Sequence, residues 1–367
     1  MQVIETQARG LLARGHEVTV ATTDVLDHDH RLPPDAAAVP PGVTVRRFAN
    51  RSHRLAMRTS AWTPRGWLPW IRANAGSFDV IHLHDIYSVL SAGAAGAARR
   101  AGVPYVLQPH GSAAITTERG KPLAKRAFMA LWGNRTLAGA AAVLYGSEEE
   151  RSILLAAGAP EVRLVESPPP LDLPDVSLVA EASEPTVAFL GRLDPIKGVD
   201  RLLRAVALAR REIPALRLEI MGSGEREHRR LARVADELGI APAVRFRGMV
   251  LGQEKFDALA RAHLFCLLSH SEGLPVAAVE AMGCGTPVVL SEGCHLREAH
   301  DRAGVVVPGA PDGAAAAIVS LLRDPERRRR LADGAVAFAD RFRADRVTAD
   351  LDALFASLAT SALAGKP

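Results

Sequence analysis

Short apolar runs rich in Val, Ile and Leu alternate with longer Ala, Leu and Arg stretches of helical period along the whole chain. That alternation constrains the fold more than any single residue does. Consecutive strands separated by a helix need a crossover connection, so they lie parallel, with helices covering both faces of the sheet. In the first half the strand runs are HEVTVAT (16–22), VTVRRF (43–48), DVIHLH (79–84), PYVLQPH (104–110) and AAVLYGS (141–147). Helices are expected near 3–15, 86–100, 122–139 and 148–157. In the second half the runs are TVAFLGR (186–192), RLEIMG (217–222), AVRFRG (243–248), LFCLLS (264–269), PVVLS (287–291) and GVVV (304–307). Helices fall near 198–211, 224–238, 253–262, 275–283, 312–322 and 325–340, and a last one covers about 344–361. The halves meet at ESPPPLDLPD (166–175), where Pro168, Pro169 and Pro170 cannot continue a helix and the stretch reads as a linker. The expectation is an α/β chain of two parallel-sheet domains, 1–170 and 171–343, followed by a C-terminal helical segment, 344–367.

Composition removes the competing classes. A length of 367 residues suits two domains of roughly 150–200 residues. With 48% apolar and 23% charged residues, the chain is neither disordered, collagenous nor a coiled coil. Forty-five Lys and Arg against 41 Asp and Glu leave +4, so the basic pI reflects near balance and not the excess of a nucleic-acid binder. Cys266, Cys284 and Cys294 match no zinc or C-x-x-C spacing, and an odd number suits no disulfide framework. Cys266 lies in LFCLL and reads as a buried thiol. A reduced, cytoplasmic protein is expected. No apolar run reaches about 18 residues, and MQVIETQARG lacks a signal-peptide core.

The most informative stretch is SHSEGLPVAAVEAMGCGTPVV (269–289), which reads strand, tight turn, helix, Gly turn, strand. Gly273 lets the backbone turn closely, Pro275 suits a first helical turn, and free N–H groups there suit a diphosphate. Glu272 sits in the turn and Glu280 one to two turns into the helix, where one ligand could touch both. Alone, such a pair could equally be capping and solvated charge. In FLGRLDPIKGVD (189–200), Arg192 and Lys197 follow a strand, and two cations there can neutralise a diphosphate as it leaves. A lone surface lysine is the blander alternative. MGSGE (221–225), with Gly222, is a candidate nucleotide loop, although an isolated G-x-G is weak.

Together, GRLDPIKGVD and SEGLPVAAVEAMGCGTPVV resemble the retaining glycosyltransferases of family 4, the group 1 class with the GT-B fold, and the resemblance spans nearly the whole chain. It implies two Rossmann-like domains facing a cleft, an acceptor domain first and a donor domain second, with the last helix returning to the first domain. By position, Arg192 and Lys197 would grip the diphosphate of a nucleotide-sugar donor, most simply a UDP- or GDP-sugar. Glu272 would contact the transferred sugar, with backbone from Gly273, Leu274 and Pro275, and Glu280 would bind the ribose. No metal or other cofactor is required on this resemblance, and the same-face mechanism needs no protein nucleophile. The acceptor would be a saccharide or a lipid-linked molecule in cell-surface polysaccharide or glycolipid assembly.

In the first half, LQPHGSAA (107–114) ends a strand, and His110 matches the family position where a histidine meets the donor sugar. In HLHD (82–85), His82 reads as structural, while His84 or Asp85 could line the acceptor side. Residues 46–78 hold seven arginines, no acid, and Trp62, Trp67 and Trp70. Such a segment could dock peripherally on an anionic membrane at the inner face of the plasma membrane; the alternative is a loop and helix with a Trp-anchored apolar face. The chain departs from the family at its start, where a helix stands in place of the usual opening strand and Gly-rich turn, and at the linker, which lacks an Asn-Gly pair. A non-catalytic, truncated remnant that binds nucleotide-sugar, or an epimerase of the same fold, therefore stay as alternatives.

Overall fold

The computed structural model describes residues 2–25, 31–32, 40–52, 62–110, 122–174 and 180–364. Two compact units divide the chain, Met1–Pro170 with Ala344–Pro367, and Leu171–Arg343.

The first unit runs α1 (Gln2–Leu12), β1 (Thr19–Thr23), β2 (Thr44–Phe48), α2 (Trp67–Asn74), β3 (Ile81–His84), α3 (Val89–Ala101), β4 (Tyr105–Gln108), α4 (Pro122–Phe128), a π-helical turn (Met129–Gly133), α5 (Asn134–Ala138), β5 (Ala142–Tyr145), α6 (Glu148–Ala156) and β6 (Leu164–Glu166). Its strands are parallel but form two sheets, β1-β2 and β3-β4-β5-β6. Period 2 explains the packing of β4. Tyr105 and Leu107 face the core beneath α2 and α3, while Val106 faces the opposite side. The small sheet joins the first core through Ala21 and Phe48. The single helix expected over 122–139 is interrupted by the π turn, where a Cβ on Gly133 would lie 2.3 Å from the Met129 sulfur. The three-residue strand β6 has no counterpart among the expected runs, because LVE is too short to show a period.

The second unit runs β7 (Thr186–Leu190), α7 (Val199–Ala209), β8 (Arg217–Met221), α8 (Glu225–Glu237), β9 (Val244–Gly248), α9 (Gly252–Arg261), β10 (Leu264–Leu267), α10 (Val276–Gly283), β11 (Val288–Ser291), β12 (Gly304–Val307), α11 (Pro311–Arg323) and α12 (Pro325–Ala339). One parallel sheet carries all six strands in the order β12-β11-β10-β7-β8-β9. The winding reverses between β7 and β10, and open α/β sheets bind ligands beyond the strand ends at such a reversal. These strands are buried except at Leu190, the end of β7, so TVAFL, LFCL and VVLS read as continuous apolar runs without alternation. Losing one large side chain there, as in Phe265→Ala, costs about 3–5 kcal/mol.

The last helix, α13 (Ala344–Ala364), belongs to the first unit. Val347 and Leu351 cover Val106, Ala142 and Leu144 on the second face of the larger sheet. Gly10 of α1 lets the two helices meet, since a Cβ there would lie 2.4 Å from Thr348 Cγ2. Arg14 Nη1 donates to Thr348 Oγ1 (2.9 Å), and His16 Nε2 lies 2.8 Å from Asp352 Oδ1.

Candidate functional site

In the second unit, the loops that leave β7 and β10 are joined to one another. Asp194 caps a short 3₁₀ turn, Pro195–Lys197, by accepting from the Ile196 N–H (3.0 Å). The Ile196 carbonyl accepts from the His270 N–H (2.8 Å) and lies 2.9 Å from Ser269 Oγ. Gly198 follows with φ +64, and a Cβ there would come within 2.0 Å of the Leu268 carbonyl oxygen. Only glycine allows the loop to press this closely on the end of β10.

That contact brings Lys197 and Glu272 together across the reversal point. Lys197 Nζ donates to both Glu272 oxygens (2.8 and 2.9 Å), and Ser269 Oγ lies 2.5 Å from Oε1. Both charges are largely shielded, with side-chain exposures of 23% and 9%. An ionised carboxylate offers roughly four lone-pair sites, and three are used here, so Oε2 keeps one for a further donor. The Glu272 N–H donates to the Gly293 carbonyl (2.8 Å). Immediately beyond, Pro275 stands just before α10 and takes no side-chain cap, but the expected row of free helix-start N–H groups is not there: Val276 N–H donates to the Leu274 carbonyl (2.9 Å), and Ala278 and Val279 N–H donate to the Pro275 carbonyl (2.8 and 3.2 Å), so the Ala277 N–H is the one left for an anion.

The other predicted residues fall at varied distances from this pair in role. Glu280 lies in α10, but its Oε1 accepts from Lys255 Nζ at 2.6 Å. It is thus held in a separate ion pair, and nothing in the spacing of the two glutamates signals Lys255. Arg192 is 72% exposed and lies 3.8 Å from Asp194 Oδ2, not within the Lys197–Glu272 bond network. Gly222 meets a backbone demand: its N–H donates to the Gly248 carbonyl (2.7 Å), and a Cβ would sit 1.8 Å from the Gly191 carbonyl oxygen. Gly273 differs from the expectation of a tight glycine turn. Its φ is not in the left-handed region, and a Cβ there would meet nothing within 4 Å. Nothing in the fold requires a glycine at that position, so the open space in front of it is available to a ligand. Ser269 went unread because a serine in SHSEG shows no sign of its partner until the loops are joined. His270 is held by Arg201 Nη2, which lies 3.0 Å from its Nδ1.

In the first unit, three histidines line the ends of β3 and β4. His84 Nδ1 and His110 Nε2 are 2.8 Å apart. The rings are within 7° of parallel, with centroids 5.1 Å apart, so the nitrogens approach along the line of centroids and the rings meet edge to edge. His82 lies behind, with its centroid 4.2 Å from that of His84 and 5.6 Å from the Phe355 ring. Burial pulls His82 down to about 3, aided by the charge of His110. Burial, then His82 and His110, hold His84 well below the ordinary imidazole value. His110 is also lowered by desolvation, with Asp85 opposing. All three are neutral imidazoles near pH 7. His110 and Asp85 have φ of +53 and +74, unusual for residues with a Cβ. Gly111 and the rest of that loop lie outside the described residues.

Part of the arginine-rich segment is described, and there its tryptophans pack into the first unit. Trp67 is buried in α2 and Trp70 half-buried, and both rings pack on Phe48, with centroids 5.3 and 5.4 Å away. Trp67 and Ile71 turn one face of α2 into the core, while Leu68 on the same helix is exposed. Residues 53–61 lie outside the described set. The three cysteines are buried, and desolvation raises all three thiols, Cys284 to about 12. Among the described residues, no three His, Cys, Asp or Glu side chains are grouped to hold a metal, and no helix is long and apolar enough to cross a membrane.

Comparison with known proteins agrees with this architecture. Residues 184–324 match the family model described as "Glycosyl transferases group 1", and residues 2–170 match the "Glycosyl transferase 4-like domain". A D-inositol 3-phosphate glycosyltransferase of Thermomonospora curvata is 32% identical over 90% of this chain and 83% of its own length. Its counterpart in Frankia alni is 31% identical over 90% and 87%. Among solved structures, Anabaena HepE in complex with UDP superposes with TM-score 0.67 at 21% identity, covering 86% of each chain. The sucrose-phosphate synthase of Thermosynechococcus elongatus gives 0.71 at 19% identity, covering 98% of this chain and 93% of that one. These structural likenesses place the two parallel-sheet units in the GT-B fold.

Proposed function

The chain belongs to the group 1 glycosyl transferases, family 4, and from that premise we propose that it transfers a sugar, with retention of configuration, from a nucleotide-diphosphate sugar to a saccharide or lipid-linked acceptor in cell-surface polysaccharide or glycolipid assembly. The observation that carries this reading is the Lys197–Glu272 pair, set where the winding of the second sheet reverses and directly before the start of α10.

Each group has a task suited to its chemistry. Lys197 and the exposed Arg192 take the diphosphate, joined by the Ala277 N–H at the start of α10. Positive charge held at that point stabilises the diphosphate as it leaves. The open lone pair of Glu272 accepts a hydroxyl of the transferred sugar, and its negative charge favours the oxocarbenium-like centre. Gly273, with open space where a Cβ would stand, lets sugar approach the backbone alongside Leu274 and Pro275. Lys255 occupies Oε1 of Glu280 and leaves Oε2 for a ribose hydroxyl. The Gly222 loop forms the neighbouring wall. His110, as a neutral imidazole, is suited to exchange one hydrogen bond with a sugar hydroxyl. The departing phosphate oxygen takes the acceptor proton on the same face, so no protein nucleophile and no metal enter the scheme. The donor is a UDP- or GDP-sugar, and the site of action is cytoplasmic.

A transfer assay with UDP- and GDP-sugars tests this reading. The acceptors would be D-inositol 3-phosphate, after which the relatives are named, an oligosaccharide and a lipid-linked sugar. Formation of an α-linked product from an α-linked donor is expected; an inverted product, or hydrolysis alone, contradicts it. A second reading, donor binding without transfer, draws on the division of the first unit's strands into two sheets. It predicts nucleotide affinity with no product from any acceptor.

A further inference from the structure

We infer that His84 is a positioning residue for His110, fixing the ring orientation and tautomer of His110 through the Nδ1–Nε2 hydrogen bond between them. This rests on the reading that His110 meets the donor sugar.

The geometry begins with the backbone. His84 ends β3 and pairs in register with Gln108, the last residue of β4. The Asp85 N–H then donates to the Gln108 carbonyl (3.0 Å), carrying the ladder one step beyond the sheet. That step holds Asp85 at φ +74, and two residues past Gln108 the chain turns at His110 with φ +53. Left-handed conformations at two residues with a Cβ are retained only where the surroundings enforce them. Their effect is to bring two imidazoles from adjacent strand ends edge to edge in one plane.

An in-plane N···N contact of 2.8 Å carries one proton between two lone-pair sites. The rings must therefore hold complementary tautomers. If His84 carries its proton on Nδ1, His110 accepts at Nε2 and carries its own on Nδ1; the reverse assignment makes His110 the donor. In either case Nε2 of His110 is engaged, and Nδ1 is the ring nitrogen left to meet a sugar hydroxyl. The tautomer at one nitrogen of a histidine is set by the bond the other makes. Every group facing the pair bears on this proton. Asp85 opposes the loss of charge at His110, whereas His82 and the burial of the cluster keep charge out. Phe355 closes the far side against His82, and Ser91 Oγ lies 3.2 Å from the His84 carbonyl, tying the strand end to α3.

The test compares His84→Ala, His84→Asn and His110→Ala with the parent chain. Readouts are steady-state transfer and ¹⁵N NMR of the histidine imidazoles across pH. An asparagine amide sits near the place of Nδ1, so His84→Asn keeps a partner for His110. Expected results are a kcat lowered at least tenfold in His84→Ala with donor KM changed less than threefold, and recovery of most of the loss in His84→Asn. The ¹⁵N signals of His110 should report one tautomer in the parent, a mixture in His84→Ala, and a pKa moved toward the ordinary value. Unchanged His110 signals in folded His84→Ala overturn the inference, whatever the rate. If the signals change as expected but His110→Ala transfers at the parental rate, the pairing stands and the reading of His110 at the sugar fails. Should His84→Ala not fold, mixed His110 tautomers in the parent chain overturn it equally.

Discussion

The two units of this chain solve the same folding problem with different continuity of their sheets. The second carries six parallel strands in one sheet over one continuous core. Among the described residues, the first spreads six parallel strands over sheets of two and four, with two hydrophobic clusters on the faces of the larger one. The functional groups differ accordingly. In the second unit, opposite charges meet across loops that glycine backbones hold in contact. In the first, uncharged imidazoles meet through residues in left-handed conformations at the ends of strands. A single continuous open sheet can carry a fixed ion pair at its reversal point. The smaller sheets present a neutral, hydrogen-bonded site whose geometry depends on local backbone strain.

That contrast is open to direct attack, and the strongest blow falls on the ion pair. Glu272→Ala or Lys197→Ala should lower transfer by about 100-fold or more. Each also leaves its partner's charge shielded and unpaired, at about 1–3 kcal/mol of stability. Single variants should therefore melt earlier than the parent. Rates within threefold of the parent in both would remove the pair from the donor site.

Glycine substitutions separate fold from ligand within the second unit. Gly222→Ala drives a Cβ toward the Gly191 carbonyl and should destabilise by about 2 kcal/mol or more in chemical denaturation. Gly273→Ala meets nothing in the fold, so its melting temperature should match the parent while donor affinity falls. Equal donor affinity in Gly273→Ala would mean that the open space there is not where the sugar lies.

Proton linkage separates the units by pH. A histidine whose folded pKa is depressed contributes stability that is present above 6.5 and lost as pH falls toward the folded value, about 3 for His82. A thiol raised from 9.0 contributes stability that is present below 9 and lost as pH rises, toward about 12 for Cys284. Acid should thus loosen the first unit through His82, His84 and His110. His263 adds an acid-sensitive contribution in the second. Alkali should loosen the second unit through its cysteines. Hydrogen exchange at pH 5 and pH 10 checks this, and His82→Phe should flatten the acid loss in the first unit alone. The smallest effect is expected at the exposed Arg192. Arg192→Gln should leave stability unchanged and raise donor KM by less than about tenfold, since a solvated charge contributes little.

The same contrast accounts for what could be read from the sequence. The runs TVAFL, LFCL and VVLS are continuous because both faces of a central parallel strand are buried, so the second unit was visible in its spacing of apolar residues. GRLDPIKG and SEGLP announced their chemistry because glycine, proline and charge sit together at strand ends. The division of the first unit's strands into two sheets was not readable, since strand runs carry no record of which neighbours they pair with. Lys255, the tie of Ser269 to Ile196 and the pairing of His84 with His110 were missed for a related reason: each contact joins residues distant in sequence, and no local period encodes it. The tryptophans of 62–70 could be read either as membrane anchors or as an apolar face turned inward, and the core position of Trp67 shows only in its packing on Phe48.

The most direct test of the donor assignment is a thermal-shift titration of the folded chain with UDP-, GDP-, ADP- and TDP-sugars, run beside Glu272→Ala and Lys197→Ala. A ligand at about 100 times its dissociation constant stabilises by roughly 2.7 kcal/mol, a shift that melting resolves. One nucleotide series should raise the parental melting temperature, and the shift should shrink or vanish in both variants. No shift with any nucleotide-sugar, or an undiminished shift in both variants, would contradict the placement of the donor at the Lys197–Glu272 pair.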